Sequence, residues 1–266
     1  MLKILCPTDF SQNSKFAIEY AIDLSNALQA KLYFATSFKV PTIAGSLRSL
    51  DEKIRTALEE DLLTFVSEFS DLIKTGIEPS VAVLEGNTTD SLLLYSKYAE
   101  INLIVMGTLG SSAIANMVTG SITKKMFEKS TIPVLAIPST TRYNMTSNRF
   151  LLSLDSNGIG NKSSIELLRK LKSLPDTTID VFHMSTKDEN VSLDPKSGEL
   201  AGIVNEIINV EGIDVVKEIK YFVDTNDIGI LIMVGRKHSF WERLFLETNT
   251  TAELFSTNVP ILILPE

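Results

Sequence analysis

The sequence predicts an α/β protein made of two tandem doubly wound domains, each an open five-stranded parallel sheet flanked by helices. Short apolar runs, typical of strands buried on both faces, recur along the 266 residues. Segments with apolar residues at helical spacing separate consecutive runs, which favours parallel strands joined by right-handed crossovers. The same order of elements occurs twice, so the fold is predicted twice.

Three segments of the first half have counterparts, in the same order, in the second half. The matched pairs are LEGNTTDSLLLYSKYAEINLIVMG (84–107) with VEGIDVVKEIKYFVDTNDIGILIMVG (210–235), STIPVLAIP (130–138) with STNVPILILP (256–265), and ILCPTDFS (4–11) with FLLSLDSN (150–157). Three matches in register indicate an internal duplication. We therefore predict domains at 1–140 and 148–266, separated by a polar stretch at 139–148.

In the first copy each predicted strand is a short apolar run, and Pro7 ends the first of them. The strands lie at 2–6, 32–35, 81–84, 103–106 and 134–137. The predicted helices carry apolar residues at intervals of three and four, and serines precede the first helix as candidate caps. The helices lie at 16–28, 54–72, 90–99 and 121–129. A helix between each pair of strands predicts a parallel sheet covered on both faces.

The second copy repeats this order with one shortened connection. Its predicted strands lie at 150–154, 178–184, near 207–210, 229–234 and 261–264, and its helices at 163–174, 213–225 and near 249–256. The deletion falls between its second and third strands. A polar stretch at 185–200 and a short helix are expected there in place of the long helix of the first copy.

A glycine-rich loop follows the fourth predicted strand and leads into the helix that begins at Ser121. Ligands of open parallel sheets bind beyond the carboxyl ends of the strands. Glycine there allows close backbone approach, and the first turn of the helix offers unpaired N–H groups to an anion. Asp9, just after the first strand, places a carboxylate at the same edge, where it could accept from a ribose or an adenine. Alternatively, the glycines only form turns and Ser121 only caps the helix.

The pattern Gly107-x2-Gly110-x9-Gly120-Ser121, preceded by LIVMG and followed by TIPVLAIP, resembles the signature of the universal stress protein (UspA) family. The opening ILCPTDFS is similar to the first strand and turn of that family. The resemblance covers the first copy and, more weakly, the second. It implies an adenine nucleotide alpha hydrolase-like fold, a tandem two-domain member, and ATP as the ligand, with Mg²⁺ left open as a companion of the phosphates.

The resemblance also assigns site residues. It places the adenosine end at the first two strands, with Asp9 as the polar anchor, the ribose over the end of the fourth strand, and the phosphates at the glycine loop. The nucleotide-binding residues that it implies are Pro7, Thr8, Asp9, Ala35, Thr36, Met106, Gly107, Gly110, Gly120, Ser121, Ile122 and Thr123.

The second copy departs from the pattern. Gly235 stands at the expected place of Gly107, but His238 replaces the second glycine, and Thr248-Asn249 replace the Gly-Ser pair. A β-carbon at these positions should obstruct a phosphate, so we expect this copy not to bind ATP.

The resemblance implies a role in stress response or signalling, through a change of shape or association when ATP binds. Two other classes stay open: an enzyme that slowly hydrolyses ATP or transfers its phosphate, and an interaction module without a ligand. In the family the last strands of two domains pair, so 134–137 and 261–264 could pair within one chain as a pseudo-dimer. A homodimer of such chains also stays open.

Composition excludes several functions. The net charge of −8 and the lack of a long basic run disfavour nucleic-acid binding. No apolar stretch reaches the 18 or so residues of a membrane span. A single cysteine and an N-terminus without the features of a signal peptide suggest the cytoplasm. Two histidines and one cysteine, widely spaced, make no credible transition-metal site, and no catalytic residue is predicted.

Overall fold

Ten strands form one sheet in the part of the chain that the structure describes. The computed structural model describes residues 1–39, 48–108, 120–138, 147–154, 158–185, 198–211, 215–235 and 259–266. The strands are β1 (Lys3–Pro7), β2 (Lys31–Phe38), β3 (Ser80–Glu85), β4 (Leu103–Gly107), β5 (Val134–Ile137), β6 (Arg149–Ser153), β7 (Thr178–Ser185), β8 (Ile207–Glu211), β9 (Ile230–Gly235) and β10 (Ile261–Pro265). The helices are α1 (Gln12–Leu28), α2 (Arg48–Ser67), α3 (Thr88–Tyr98), α4 (Ser121–Lys129), α5 (Lys162–Lys172) and α6 (Val215–Thr225).

The strand order is β3-β2-β1-β4-β5-β10-β9-β6-β7-β8. All neighbours within β1–β5, the first half, and within β6–β10, the second half, are parallel. The two halves meet at β5 and β10, which pair antiparallel with Leu262 opposite Leu135. We call this pair the seam. The predicted α/β class with a mostly parallel sheet is confirmed.

Helices cover both faces of the sheet because the strands are apolar on both. Ile4 and Cys6 of β1 belong to the buried cluster that contains residues of α1, α2 and α5, whereas Leu5 between them belongs to the cluster that contains residues of α3, α4 and α6. All three β1 side chains are fully buried. Alternation along a strand sends successive side chains to opposite faces. Each half is therefore wound on two faces, as the continuous apolar runs predict.

Two helices differ from the sequence prediction. The helix predicted at 54–72 begins earlier, at Arg48, and ends at Ser67. The N–H of Phe69 donates at 3.1 Å to the carbonyl of Val66, three residues earlier, whereas an α-helical N–H donates to the carbonyl four residues earlier. A 3-10 turn follows at Ser70–Leu72. In the second half the described residues between β7 and β8 hold a 3-10 turn, Gly198–Leu200, where the first half has α2. The helix predicted near 249–256 lies outside the described residues.

The glycine before β9 gives a stability prediction. A methyl group on Gly229 would place its carbon 1.9 Å from the backbone oxygen of Ser147, so the backbone would have to shift. We expect Gly229→Ala to lower the free energy of unfolding by about 2 kcal/mol. Urea denaturation would measure the loss.

Gly160→Ala is the matched control for Gly229→Ala, because nothing lies within 4 Å of its added carbon. It should change the free energy of unfolding by less than about 0.5 kcal/mol. Equal unfolding midpoints for the two variants would contradict the prediction.

Candidate functional site

A cleft of about 520 Å³ opens at the carboxyl ends of β1, β2 and β4. The chain leaves β1 toward β2 on one side, and β4 lies on the other, so this edge is the topological switch point of the first half. Eleven of the twelve residues predicted to bind a nucleotide line the cleft: Pro7, Thr8, Asp9, Ala35, Thr36, Met106, Gly107, Gly120, Ser121, Ile122 and Thr123. The twelfth, Gly110, lies outside the described residues.

The turn after β1 is held by a closed set of hydroxyl bonds. Ser14 Oγ donates to the carbonyl of Ser11 at 2.8 Å, so at its 2.9 Å contact with Thr8 Oγ1 the threonine is the donor. Thr8 Oγ1 in turn accepts the N–H of Phe10 at 3.0 Å. This bond holds Phe10 at φ 62°, an uncommon angle for a bulky residue. The Phe10 ring then packs edge-on against Phe65 of α2, with centroids 5.3 Å apart.

Asp9 follows Thr8 at the rim of the cleft. Its Oδ1 accepts the N–H of Ser11 at 3.2 Å and the hydroxyl of Ser11 at 2.5 Å. These bonds orient the carboxylate at the rim. Asp9 is the one charged side chain among the described residues that line the cleft. This end of the cleft therefore offers a carboxylate acceptor to a hydrogen-bond donor.

The opposite end of the cleft is the N-terminus of α4. Gly120 is the N-cap and offers no side-chain acceptor, and the first intrahelical bond runs from the N–H of Lys124 to Gly120 O at 3.1 Å. The N–H groups of Ser121, Ile122 and Thr123 thus precede that first bond. Together with the helix dipole they form a neutral anion-binding surface.

Thr123 differs from the role expected from the sequence. Its Oγ1 donates to the carbonyl of Gly107 at 2.9 Å, and its side chain is buried. The hydroxyl proton is therefore used to join α4 to the end of β4. Thr123 therefore positions the helix N-terminus, and of its donors the backbone N–H is the one that could serve an anion.

The sequence analysis missed seven residues that also line the cleft. They are Phe10, Ser14, Ser37, Phe38, Leu58, Thr88 and Leu92. Ser37 and Phe38 were missed because the prediction ended β2 at 35, where polar residues interrupt the apolar run, whereas pairing with β3 carries the strand to Phe38. Arg55 of α2 lies over the Phe38 ring, 5.7 Å from its centroid, and bonds the carbonyl of Val83 at 3.0 Å. Arg55 therefore holds the Phe38 side of the cleft in place from outside the cleft.

Ser37 presents backbone groups to the cleft. The carbonyl of Ala35 accepts the N–H of Thr8 at 2.8 Å, whereas the carbonyl of Phe38 accepts from Gly86 beyond β3. Because successive strand residues point their backbone groups to opposite sides, the N–H and C=O of Ser37 point to the β1 side, past the end of β1. Within the described residues, no backbone bond joins Ser37 to that side. An adjacent donor and acceptor thus face the cleft.

Backbone hydrogen bonds fix how the two halves correspond. The N–H of Ile104 on β4 and that of Leu231 on β9 each donate, at 2.9 Å, to the proline carbonyl that precedes the neighbouring strand. The residue equivalent to Gly107 is therefore Val234. The expected alignment of Gly235 with Gly107 is therefore wrong by one position. The segments LIVMG and LIMVG are so similar in sequence that they align without this one-residue offset.

Larger side chains occupy the equivalent edge of the second half. The N–H of Leu154 donates to Phe182 O at 3.1 Å, which makes these residues the counterparts of Thr8 and Ala35. Phe182 is fully buried, so a phenyl ring fills the volume that an alanine leaves open in the first half. With Val234 in place of a glycine, three cleft positions carry more side-chain volume.

The remaining sequence candidates have structural roles where they are described. His183 is buried, and its Nδ1 lies 3.1 Å from Leu154 O. Cys6 is fully buried, and burial raises the pKa of its thiol. Within the described ranges no group of three or more His, Cys, Asp or Glu could hold a metal ion. No described helix is long and apolar enough to cross a membrane. His238, Thr248 and Asn249 lie outside the described residues.

A mostly parallel, doubly wound sheet with a cleft at its switch point defines the class as a doubly wound α/β protein. The model of the universal stress protein family matches residues 1–138, and the chain belongs to that family. Universal stress protein MJ0531 of Methanocaldococcus jannaschii is 25% identical over 137 residues, which cover 51% of this chain and 81% of that protein. Universal stress protein YxiE of Bacillus subtilis is 24% identical over 144 residues, covering 51% and 97%.

The likeness to a solved structure extends over both halves. The crystal structure of a universal stress protein from Archaeoglobus fulgidus matches with a TM-score of 0.70 at 17% identity, over 99% of this chain and 96% of that chain. At this identity the match shows a shared fold.

The turn after β1 gives a testable prediction. Thr8→Val keeps the shape of the side chain but removes both hydroxyl bonds, which leaves the Phe10 N–H without its acceptor. We expect a loss of about 1–3 kcal/mol in the free energy of unfolding, measured by urea denaturation. Thr8→Ser keeps the hydroxyl and should retain most of the stability. A Thr8→Val protein as stable as the wild type would show that these bonds do not hold the turn.

Proposed function

We propose that the first half binds ATP in the cleft and that the protein acts as a stress-response or signalling module, through a ligand-dependent change of shape or association. The observation that carries the proposal is that residues far apart in the sequence meet at one cleft. The described residues of a motif spread over 117 positions, from Pro7 to Thr123, surround one cleft at the switch point of the sheet. The resemblance to the family motif supports an adenine nucleotide as the occupant.

The backbone of Ser37 supports adenine as the base. Adenine presents a ring-nitrogen acceptor beside an amino donor, which complements an adjacent N–H and C=O. Guanine presents an oxygen acceptor and a ring N–H in the reverse order, so guanine bound in the orientation of adenine leaves both Ser37 groups mismatched. The apolar side chains of Phe38, Leu58 and Leu92 also line the cleft and suit the faces of a base.

The two ends of the cleft suit the rest of the nucleotide. Asp9 can accept from a ribose hydroxyl, and the N–H groups at the start of α4 can donate to a phosphate. Gly107 and Gly120 lie between them and carry no side chain to block the approach of the ligand backbone. The proposed order along the cleft is base, ribose and phosphate.

We propose that the halves are two domains, at 1–140 and 148–266, and that only the first binds ATP. Phe182 and Val234 fill the equivalent edge of the second half. The seam connects β4 and β5 of the binding half to β10 and β9 of the other. A shift at the cleft would reach the second half along this sheet.

The first binding prediction concerns stoichiometry. Calorimetric titration of nucleotide-stripped protein with ATP and Mg²⁺ should show one site per chain. Gly120→Val should abolish binding with the fold retained, as checked by circular dichroism, because a branched side chain enters the phosphate end. Gly160→Val, at an open position of the second half, should bind as the wild type does. Two sites per chain would disprove the silent second half.

The second binding prediction concerns the base. We expect ATP to bind at least about tenfold more tightly than GTP, since guanine leaves the Ser37 groups mismatched. Competition titrations with both nucleotides in Mg²⁺ would measure the ratio. Equal affinities would remove Ser37 from base recognition. Phosphate release by the same samples would distinguish binding alone from slow hydrolysis.

A further inference from the structure

Asp9 lies in a turn whose backbone conformation is unusual. The next residue, Phe10, has φ 62°, an angle at which a bulky side chain is strained. Such a conformation persists only where the surrounding contacts hold it. The backbone N–H of Phe10 is held by Thr8 Oγ1, and its side chain is held by a helix, α2. The position of Asp9 therefore depends on contacts made by its neighbour in the chain.

The ring of Phe10 contacts Phe65 of α2. The two rings meet edge to face, with centroids 5.3 Å apart and planes at 87°, a favourable geometry for an aromatic pair. Phe65 is buried, and the Phe69 ring packs on it with centroids 5.5 Å apart. Lys15 of α1 places its ammonium group 5.3 Å from the centroid of the Phe65 ring and pairs with Glu68. The ring on which Phe10 packs is thus itself fixed by several neighbours.

Phe65 lies behind the cleft. Asp9 and Phe10 are among the described residues that line the cleft, and Phe65 is not among them. A change of Phe65 can therefore act on a ligand only through the residues that Phe65 contacts. Phe10 connects the two, because its ring packs on Phe65 and its backbone follows Asp9 in the chain.

The second half retains the aspartate but lacks the aromatic pair. By the hydrogen-bond correspondence of the two halves, Asp155 stands at the position of Asp9 and Ser156 at that of Phe10. The connection between β7 and β8, residues 186–206, contains no Phe, Tyr or Trp. Whatever the conformation of this connection, it cannot supply a ring in place of the one on α2. The half that we propose to be silent therefore lacks both members of the pair.

We infer that Phe65 is a positioning residue of the first-half cleft: through Phe10 it fixes the turn that orients Asp9, and so it raises the affinity for a ligand that it does not touch. This inference rests on the proposed nucleotide site. A group that is already oriented loses less conformational freedom when a ligand binds, and the affinity is higher for that reason. Phe65→Leu keeps an apolar side chain but removes the aromatic contact, which leaves the turn less firmly held.

The test is a calorimetric titration of the nucleotide-stripped full chain with ATP and Mg²⁺, in the wild type, Phe65→Leu and Phe69→Leu. Phe69 is the matched control, because it is buried in the same cluster and lies one ring further from the turn. We expect Phe65→Leu to raise the Kd by about three- to tenfold, the factor that an aromatic pair contributes. Phe69→Leu should change the Kd by less than about twofold. Circular dichroism would check that both variants are folded.

Two further variants examine the path of the effect. Phe65→Met, whose side chain is flexible and apolar, should raise the Kd as Phe65→Leu does. Phe10→Leu removes the same contact from the other side, so adding it to Phe65→Leu should weaken binding no further than the weaker of the two single variants. Fold-changes that multiply in the double variant would show that Phe65 does not act through Phe10, and would overturn the inference.

The remaining outcomes separate the inference from the proposed function. Equal rises in Kd for Phe65→Leu and Phe69→Leu would assign the effect to the general packing of α2 and overturn the inference. A Phe65→Leu protein that binds ATP as the wild type does would overturn it as well, while leaving the nucleotide site intact. No binding by the wild type would overturn the proposed function itself, and the inference with it.

Discussion

The position of β1 between β2 and β4 is the constraint on which the cleft depends. Parallel neighbours on both sides fix its carboxyl end, and the chain then leaves through α1 on one face while β3 reaches β4 through α3 on the other. Within the ranges that the structure describes, no crossover covers the end of β1. Pro7, Thr8 and Asp9 therefore meet the start of α4, although more than a hundred residues separate them in sequence.

Much of this arrangement could be predicted from the sequence, because strands buried on both faces leave an unmistakable apolar run and glycine spacing identifies the loop after β4. Ser37 could not be found in this way. Its contribution comes from backbone groups exposed when β1 ends before β2, and β2 is lengthened by its pairing with β3. The pattern of side chains in the sequence predicts neither where β1 ends nor how far β2 extends. The same holds for Thr123, whose hydroxyl looks like a phosphate donor until its bond to Gly107 is seen.

The second half shows how a fold can persist while the residues at the edge of its sheet change. Its strands keep the order and register of the first half, because burial on both faces constrains them. The edge residues are under no such constraint, and Phe182 and Val234 have taken the space of smaller residues. The residue equivalent to Gly107 is Val234, one position before Gly235, which sequence similarity favours. Hydrogen bonds, which depend on position and not on residue type, were needed to resolve it.

The seam changes what dilution can do to this protein. If the two five-stranded sheets belonged to separate chains, these chains would dissociate at low concentration and could exchange partners with related chains. Here β5 and β10 belong to one polypeptide, so their pairing has an effective concentration set by the connecting chain and not by expression level. The cleft of the first half is thus always joined to the same second half, in a ratio of one to one, at every stage of the life of the molecule.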